Sequence, residues 1–168
     1  MAAERVDLVN GPAVRDRPEM ATLGIREVVP FRTMLSERDR LLAELIAWLS
    51  AHHATDFGPF FLRLHVVDMG GLMDIEVGVV GTADADSERV KRGFLPAGRY
   101  AELDYRATSL SANRMLLAWA GDQGLTIDSW TTPHGEQFAA RCEIYVTDPR
   151  REPKKKQWVV RLALLLRP

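Results

Sequence analysis

The 168-residue sequence predicts an α+β fold: duplicated β-α-β-β units, with two long helices on one side of antiparallel sheets and a shared cleft on the other. Three observations predict it. Two amphipathic helical stretches each sit among β-rich runs. The helical strings Leu45-Ile46-Ala47-Trp48 and Leu116-Leu117-Ala118-Trp119 answer each other, as do His65-Val66-Val67-Asp68 and Tyr145-Val146-Thr147-Asp148, each closing a strand at a turn. The length suits one domain that buries most of its apolar surface.

In chain order, residues 1–17 carry Asn10-Gly11-Pro12 and mixed charges. They read as a weakly ordered lead-in or short edge segment to a single domain over 18–168. Repeat one spans about residues 20–80 and repeat two about 99–166. Ala21–Val29 is apolar and β-branched and ends at Pro30, which suits a first strand. Leu35, Leu41, Leu42, Leu45, Ile46, Trp48 and Leu49 then recur at helical steps, with Glu37, Arg38, Arg40 and Glu44 mostly outside the stripe. Phe60–Val67 and Met73–Val80 are strands joined by a glycine-containing turn. Gly81–Ser87 is a polar linker, and Arg89–Leu95 a connecting strand that ends at Pro96-Ala97-Gly98. Tyr100–Arg106 alternates as a strand, and the second helix, marked by Leu110, Leu116 and Trp119, stops near Gly121–Gly124. Thr126–Gly135 is a loop holding Trp130 and His134. Phe138–Val146 and Trp158–Leu166 form a long β-hairpin around a turn bearing Arg150, Arg151 and Lys154–Lys156.

Composition excludes several classes. A net charge of −1, with the dense basic cluster confined to a turn without interleaved aromatics, argues against direct nucleic-acid binding. No apolar run reaches membrane-span length and the N-terminus carries no signal-peptide core, so a soluble, cytoplasmic chain is expected, with no membrane partner. The one cysteine, Cys142, cannot form an internal disulfide, and its strand position suits a buried thiol. No metal and no cofactor are expected. There is no glycine-rich phosphate loop, zinc-protease helix or nucleophile elbow, and the adjacent His52 and His53 point in different directions. Asp128, Ser129 and His134 share one loop, but a triad needs convergence in space, not in sequence.

The least expected ionisable residue is Glu143. Strand alternation gives Arg141, Glu143 and Tyr145 one face and Cys142, Ile144 and Val146 the other, which looks like core. A carboxylate in mid-strand beside an aromatic is costly unless something meets it: water on an outer face, an internal salt bridge, or a ligand. Aligning the repeats on their turn strings places Arg63 opposite Glu143, and Glu76 against Arg161. Each hairpin then carries an acid and a base on one face, Arg63 with Glu76 and Glu143 with Arg161, lining a shared cleft with Arg63 and Glu143 within reach of each other. Tyr145, His65 and Trp158 are candidate walls, although parity puts Trp158 opposite Arg161 and toward the core.

Three segments, Asp74-Ile75-Glu76-Val77-Gly78, Leu95-Pro96-Ala97-Gly98-Arg99-Tyr100-Ala101 and Glu143-Ile144-Tyr145-Val146-Thr147-Asp148-Pro149, resemble the GyrI-like small-molecule-binding domain. This is also called the AraC effector-binding domain, of the bacterial transcription-regulator effector-binding superfamily. The resemblance covers about residues 17–168. It implies two β-α-β-β units about a pseudo-twofold axis, with a concave ligand cleft between them. In multidrug-responsive members a buried glutamate on the penultimate strand, framed by aromatics, meets cationic drugs, and Glu143 holds the matching position. The turn after Pro149 is more basic than the family pattern. The resemblance implies a free-standing protein that binds a flat, partly hydrophobic small molecule, a cation among the candidates, with Glu143 as its anchor. The strand reading adds Tyr145, His65 and Trp158 as walls and Arg63, Glu76 and Arg161 as cleft charges; Arg63 and Arg161, able to neutralise the acid, depart from the family pattern. Its alternatives are a hydrolase of strained cyclopropane-bearing toxins with Glu143 as the catalytic group, and a protein-interaction module of gyrase-inhibitor type. Both helices are used by the repeats, so a DNA-binding regulator would be a separate, unidentified partner.

Overall fold

The computed structural model describes residues 5–83 and 87–168; the centre of the expected Gly81–Ser87 linker lies outside them. The element order is β1 (Asp7–Arg17), β2 (Met20–Pro30), α1 (Met34–Ala51), β3 (Phe60–Val67), β4 (Leu72–Val80), β5 (Lys91–Leu95), β6 (Gly98–Arg106), α2 (Ser109–Asp122), β7 (Ser129–Thr132), β8 (Gly135–Phe138), β9 (Arg141–Tyr145) and β10 (Val160–Leu165). Among the described residues all ten strands join one sheet, whose main path runs β1-β6-β10-β9-β3-β4-β2-β5, with every pairing antiparallel. Matching β1, β2, β3 and β4 to β5, β6, β9 and β10 makes this order read the same from either end. The symmetry point falls between β3 and β9.

The sheet must curl. Strand β5 ends one edge and β6 lies next to the other, yet only Pro96 and Ala97 join them; Pro18 and Glu19 likewise join β1 to β2. A flat sheet would set β5 and β6 six strand spacings apart, about 29 Å, whereas two intervening residues reach about 11 Å. The direction of curling is given by Arg63 on β3, whose Nη1 donates to the Phe94 carbonyl on β5 at 3.0 Å. The face carrying Arg63 is therefore concave. It closes on two small apolar clusters, one with Phe61, Leu95 and Cys142, the other with Tyr100, Ala140, Ala163 and Leu165.

Both helices pack on the other face, α1 against β2 and β4, α2 against β6 and β10. Leu41, Leu42, Leu45 and Leu49 from α1 and Ala112 and Leu116 from α2 enter one continuous core with Leu23, Ile25, Phe60, Leu62, Ile75, Val77, Leu103 and Leu162. The matched helical strings superimpose in burial: Leu45 and Leu116 are fully buried, while Trp48 and Trp119 are half-buried at the margin of the core.

Of the two readings of the N-terminal stretch, a weakly ordered lead-in or a short edge segment, residues 7–17 take the second, as an edge strand of eleven residues on β6. Three expectations change. The expected loop over Thr126–Gly135 contains β7 and turns into β8, a short hairpin that pairs with the end of β3. Phe138 belongs to β8, with the chain breaking at Ala139-Ala140 before β9 begins. Arg38, read as mostly outside the α1 stripe, is on it: three and four residues before Leu41 and Leu42, it is buried, whereas Leu35 is exposed.

Candidate functional site

Because α1 packs on β2 and β4 and α2 on β6 and β10, the two central strands β3 and β9 lie between the helices, and this interval is the candidate groove. Register decides what points into it. Across the seam Phe60 pairs with Tyr145, Phe61 with Ile144, Leu62 with Glu143 and Arg63 with Cys142. Phe60, Leu62 and Tyr145 belong to the helix-side core, so Glu143 and Arg141 face the helices as well. Cys142 and Ile144 face the concave interior, where burial pushes the Cys142 thiol up to about 12. Both faces of β9 are buried.

This corrects the expected partnership of Arg63 and Glu143, which lie on opposite faces. Arg161 pairs with Ile144 across β9–β10 and is also on the face away from Glu143. The turn strings align the halves one residue out of phase, and a one-residue slip moves every side chain to the other face. Arg63 and Glu76 do share a face and stand directly opposite each other on β3 and β4. Arg63 is held by the Phe94 and Ala139 carbonyls, His65 Nε2 lies 2.8 Å from Glu76 Oε1, and Arg161 donates to Asp104 at 2.9 and 3.1 Å. Arg17 makes a paired contact to Glu102 on that same side.

On the helix side a different set converges. Glu143 is 8% exposed, and its Oε1 accepts from Ser109 Oγ at 2.8 Å. Ser109 is the first residue of α2, where the helix dipole favours a carboxylate. One turn along, Asn113 accepts from Arg141 Nη2 at 2.9 Å and donates to the Ser109 carbonyl. Arg141 also stacks over Phe138 at 4.8 Å. Burial pulls its guanidinium below the usual arginine range, with Glu143 and Glu136 opposing.

From α1 comes Arg38, 8% exposed, its guanidinium 5.9 Å from the centre of the Tyr145 ring. Both Nε and Nη2 donate to Asp39 Oδ1, while Asp39 Oδ2 accepts from Lys155 of the β9–β10 turn. Burial alone would lower the Arg38 pKa; Tyr145, Asp39 and Glu143 outweigh it, and the group is held above its ordinary value. Tyr145 is 1% exposed, its ring lies edge-on to Trp158 at 5.4 Å, and its buried hydroxyl interacts with the Arg38 guanidinium but makes no hydrogen bond within 3.5 Å. Burial first, then Glu143, pushes the pKa values of Tyr145 and Tyr105 above the tyrosine range. Trp158 is fixed by its own indole N–H on the Glu152 carbonyl at 2.7 Å. Phe60 and Tyr145 reach the end of the strands, where with Ile144, Asp148, Arg150 and Arg161 they line a surface depression of about 350 Å³.

Of the residues expected at the site, the groove gathers Glu143, Tyr145 and Trp158. Arg63, His65, Glu76 and Arg161 stand on the other face. Sequence reasoning missed Arg38, Tyr105, Ser109 and Asn113. Arg38 was within reach, because an arginine in phase with a leucine stripe is buried with it. The other three depend on where the α2 N-terminus lands.

No protein-family model matches the chain, and no curated protein matches it. Solved structures do. EcmrR in its DNA complex is 14% identical with a TM-score of 0.69, over 94% of this chain but only 57% of that one. The isolated EcmrR C-terminal domain gives 14% identity and 0.66, over 95% and 99%. A hydrolase from Listeria innocua gives 15% and 0.55, over 94% and 92%. SAV2435, solved with tetraphenylphosphonium bound, gives 14% and 0.60, over 94% of each chain. This chain is similar in fold, along nearly all of its length, to the EcmrR C-terminal domain and to the tetraphenylphosphonium-bound SAV2435.

Proposed function

We propose that this chain binds a flat, partly hydrophobic small molecule in the groove between α1 and α2, over the β3–β9 seam. Glu143 is its polar anchor, and Tyr145, Tyr105 and Trp158 are its aromatic surroundings. In this reading it is a GyrI-like effector-binding domain of the cytoplasm that reaches DNA only through another protein. One observation carries the reading: a buried carboxylate and a buried tyrosine hydroxyl without a hydrogen bond, two residues apart on one strand face, in the middle of an apolar floor. Such groups cost folding free energy; Glu143 is met by the one hydroxyl of Ser109 and Tyr145 Oη by no hydrogen bond, and a site that completes their partners on binding explains why they are there. The bonds of Arg63 to backbone carbonyls, the His65–Glu76 contact and the Arg161–Asp104 ion pair brace the concave face and are structural in this reading.

The test is a titration of wild type and Glu143→Gln with flavone, tetraphenylphosphonium and 8-anilinonaphthalene-1-sulfonate, followed by tryptophan fluorescence, since Trp158 touches Tyr145. Saturable one-to-one binding of at least one probe is expected, with an affinity that changes about tenfold in the variant, because the substitution removes the buried negative charge beside the aromatic rings. Failure of all three to bind, or equal affinity for the variant, overturns it. Adding a cyclopropane-bearing electrophile and assaying for a ring-opened product tests the hydrolytic alternative with the same two proteins.

A further inference from the structure

We infer that Arg38 occupies the cation seat beside Glu143, so that the groove selects uncharged flat ligands over permanent cations; this rests on the groove reading above. A lipophilic cation entering such a groove seeks an aromatic face, a nearby carboxylate and apolar walls. Arg38 already has all three. It is a planar, delocalised cation, suited to lie against a ring as a lysine ammonium is not. It lies against the Tyr145 ring, on the side of the sheet where Glu143 points, in the core formed by α1 and the central strands.

Its tether points the same way. Among the described residues the Arg38 guanidinium hydrogen-bonds only its neighbour Asp39, which is half-exposed and shared with Lys155. Glu143 is satisfied by a neutral hydroxyl, that of Ser109. The carboxylate thus balances Arg38 across space without being consumed by it, and a ligand can approach the ring while Arg38 stays in place.

Counting charges around the floor gives the selectivity. Within the floor Glu143 is one negative group and Arg38 and Arg141 are two positive ones; Asp39, which meets Arg38 at the margin, is half-exposed and shared with Lys155, and Glu136 is exposed to solvent. Arg141 is bound to the uncharged Asn113 amide and has a buried Nε with no partner. An incoming cation would meet two arginines in a dry setting, where like charges repel far more than in water. An uncharged ligand meets no such barrier. The Tyr145 hydroxyl can donate to its carbonyl oxygen, so the class that fits is a flat aromatic ketone or lactone.

The affinities of flavone and tetraphenylphosphonium for wild type, Arg38→Gln, Arg38→Met and Arg38→Lys test this. Methionine keeps the apolar stem and stands in should the glutamine variant fail to fold; lysine keeps the charge. Wild type should prefer flavone. The ratio of tetraphenylphosphonium to flavone affinity should rise at least tenfold in the neutral variants and stay within threefold of wild type in Arg38→Lys. If flavone still saturates the folded neutral variants and the ratio does not move, the assignment of Arg38 is wrong while the groove stands. A wild-type preference for tetraphenylphosphonium has the same meaning. If neither probe binds wild type, the groove reading falls and takes this inference with it.

Discussion

Leu62 and Glu143 stand directly opposite each other across the β3–β9 seam, both on the face that carries the helices. Leu62 is fully buried, and Glu143 nearly so. An apolar residue is what packing alone would put at both positions. Replacing a buried charge by a well-packed apolar side chain is often neutral or stabilising, and Arg38 retains Asp39 if Glu143 is lost. Glu143→Leu should therefore change unfolding free energy in urea by no more than about 1 kcal/mol while removing the binding seen in wild type. A loss above about 3 kcal/mol would make Glu143 a structural keystone.

The chain has three tyrosines, and burial pushes all three above the tyrosine range. Each therefore holds its proton more tightly folded than unfolded. The stability they contribute is fully present below the unfolded pKa of about 10 and is lost as pH rises beyond it. No tyrosine should titrate independently in the native protein. Ultraviolet difference spectra should show one cooperative step coincident with loss of near-ultraviolet circular dichroism. A separate native step near pH 10 would contradict the burial. Cys142, raised for the same reason, should resist thiol reagents until that step.

Much of the fold was legible in the sequence because its signals are periodic. Both helices, the β3–β4 pair and the β9–β10 hairpin follow from apolar spacing and turn residues. The β7–β8 hairpin was not legible: its strands are four residues each, mostly outside the core, and held by pairing onto β3. The site was half legible. Glu143, Tyr145 and Trp158 follow from alternation on two strands, but which face they take depends on the register between β3 and β9. That register is set by tertiary packing, and turn strings that align one residue out of phase invert it. The closeness of Ser109 to Glu143 is likewise a long-range contact, with no local pattern to announce it.

Gly78 tests the concave core. A Cβ there would lie 2.3 Å from Cζ of Phe61, the residue directly opposite it on β3. Phe61 is 1% exposed and packed against Leu95 and Cys142, so its ring has nowhere to retreat. Gly78→Ala should cost about 2–3 kcal/mol as an overpacking change, and Phe61→Leu in the same chain should recover part of it. A neutral Gly78→Ala in urea denaturation would mean that the interior is loosely filled.

The helical strings make a graded prediction. Leu45→Ala and Leu116→Ala remove fully buried side chains at matching places and should each cost about 3–5 kcal/mol. Trp48 and Trp119 are half-buried, and Trp48 stacks on His52 at 4.0 Å at the end of α1. Their alanine variants should cost about 2 kcal/mol, less than full burial implies. Denaturation midpoints that rank the tryptophans above the leucines would place the helices differently on the sheet.

The two faces of the sheet can be told apart by what their charges do. On the concave side Asp104 is 4% exposed and accepts from Arg161 and Asn10. Burial would raise its pKa, but those bonds outweigh burial and hold it below the usual aspartate value. Its contribution to stability is therefore present above the unfolded value near 3.9 and lost as pH falls through the lower, folded one. Arg161→Met leaves Asp104 with Asn10 and Glu102 with Arg17. It should cost about 2–3 kcal/mol at pH 7, short of the full penalty for breaking a buried pair because Arg161 is partly exposed, and should raise the midpoint of acid unfolding. It should not change the affinity for whichever probe wild type binds, because the sheet separates Arg161 from Glu143. Glu143→Gln should do the reverse, changing affinity with little change in stability. Acid titrations and binding isotherms on the two variants give four numbers. If Arg161→Met shifts affinity as much as Glu143→Gln does, the ligand enters from the concave side and the groove between the helices is not the site.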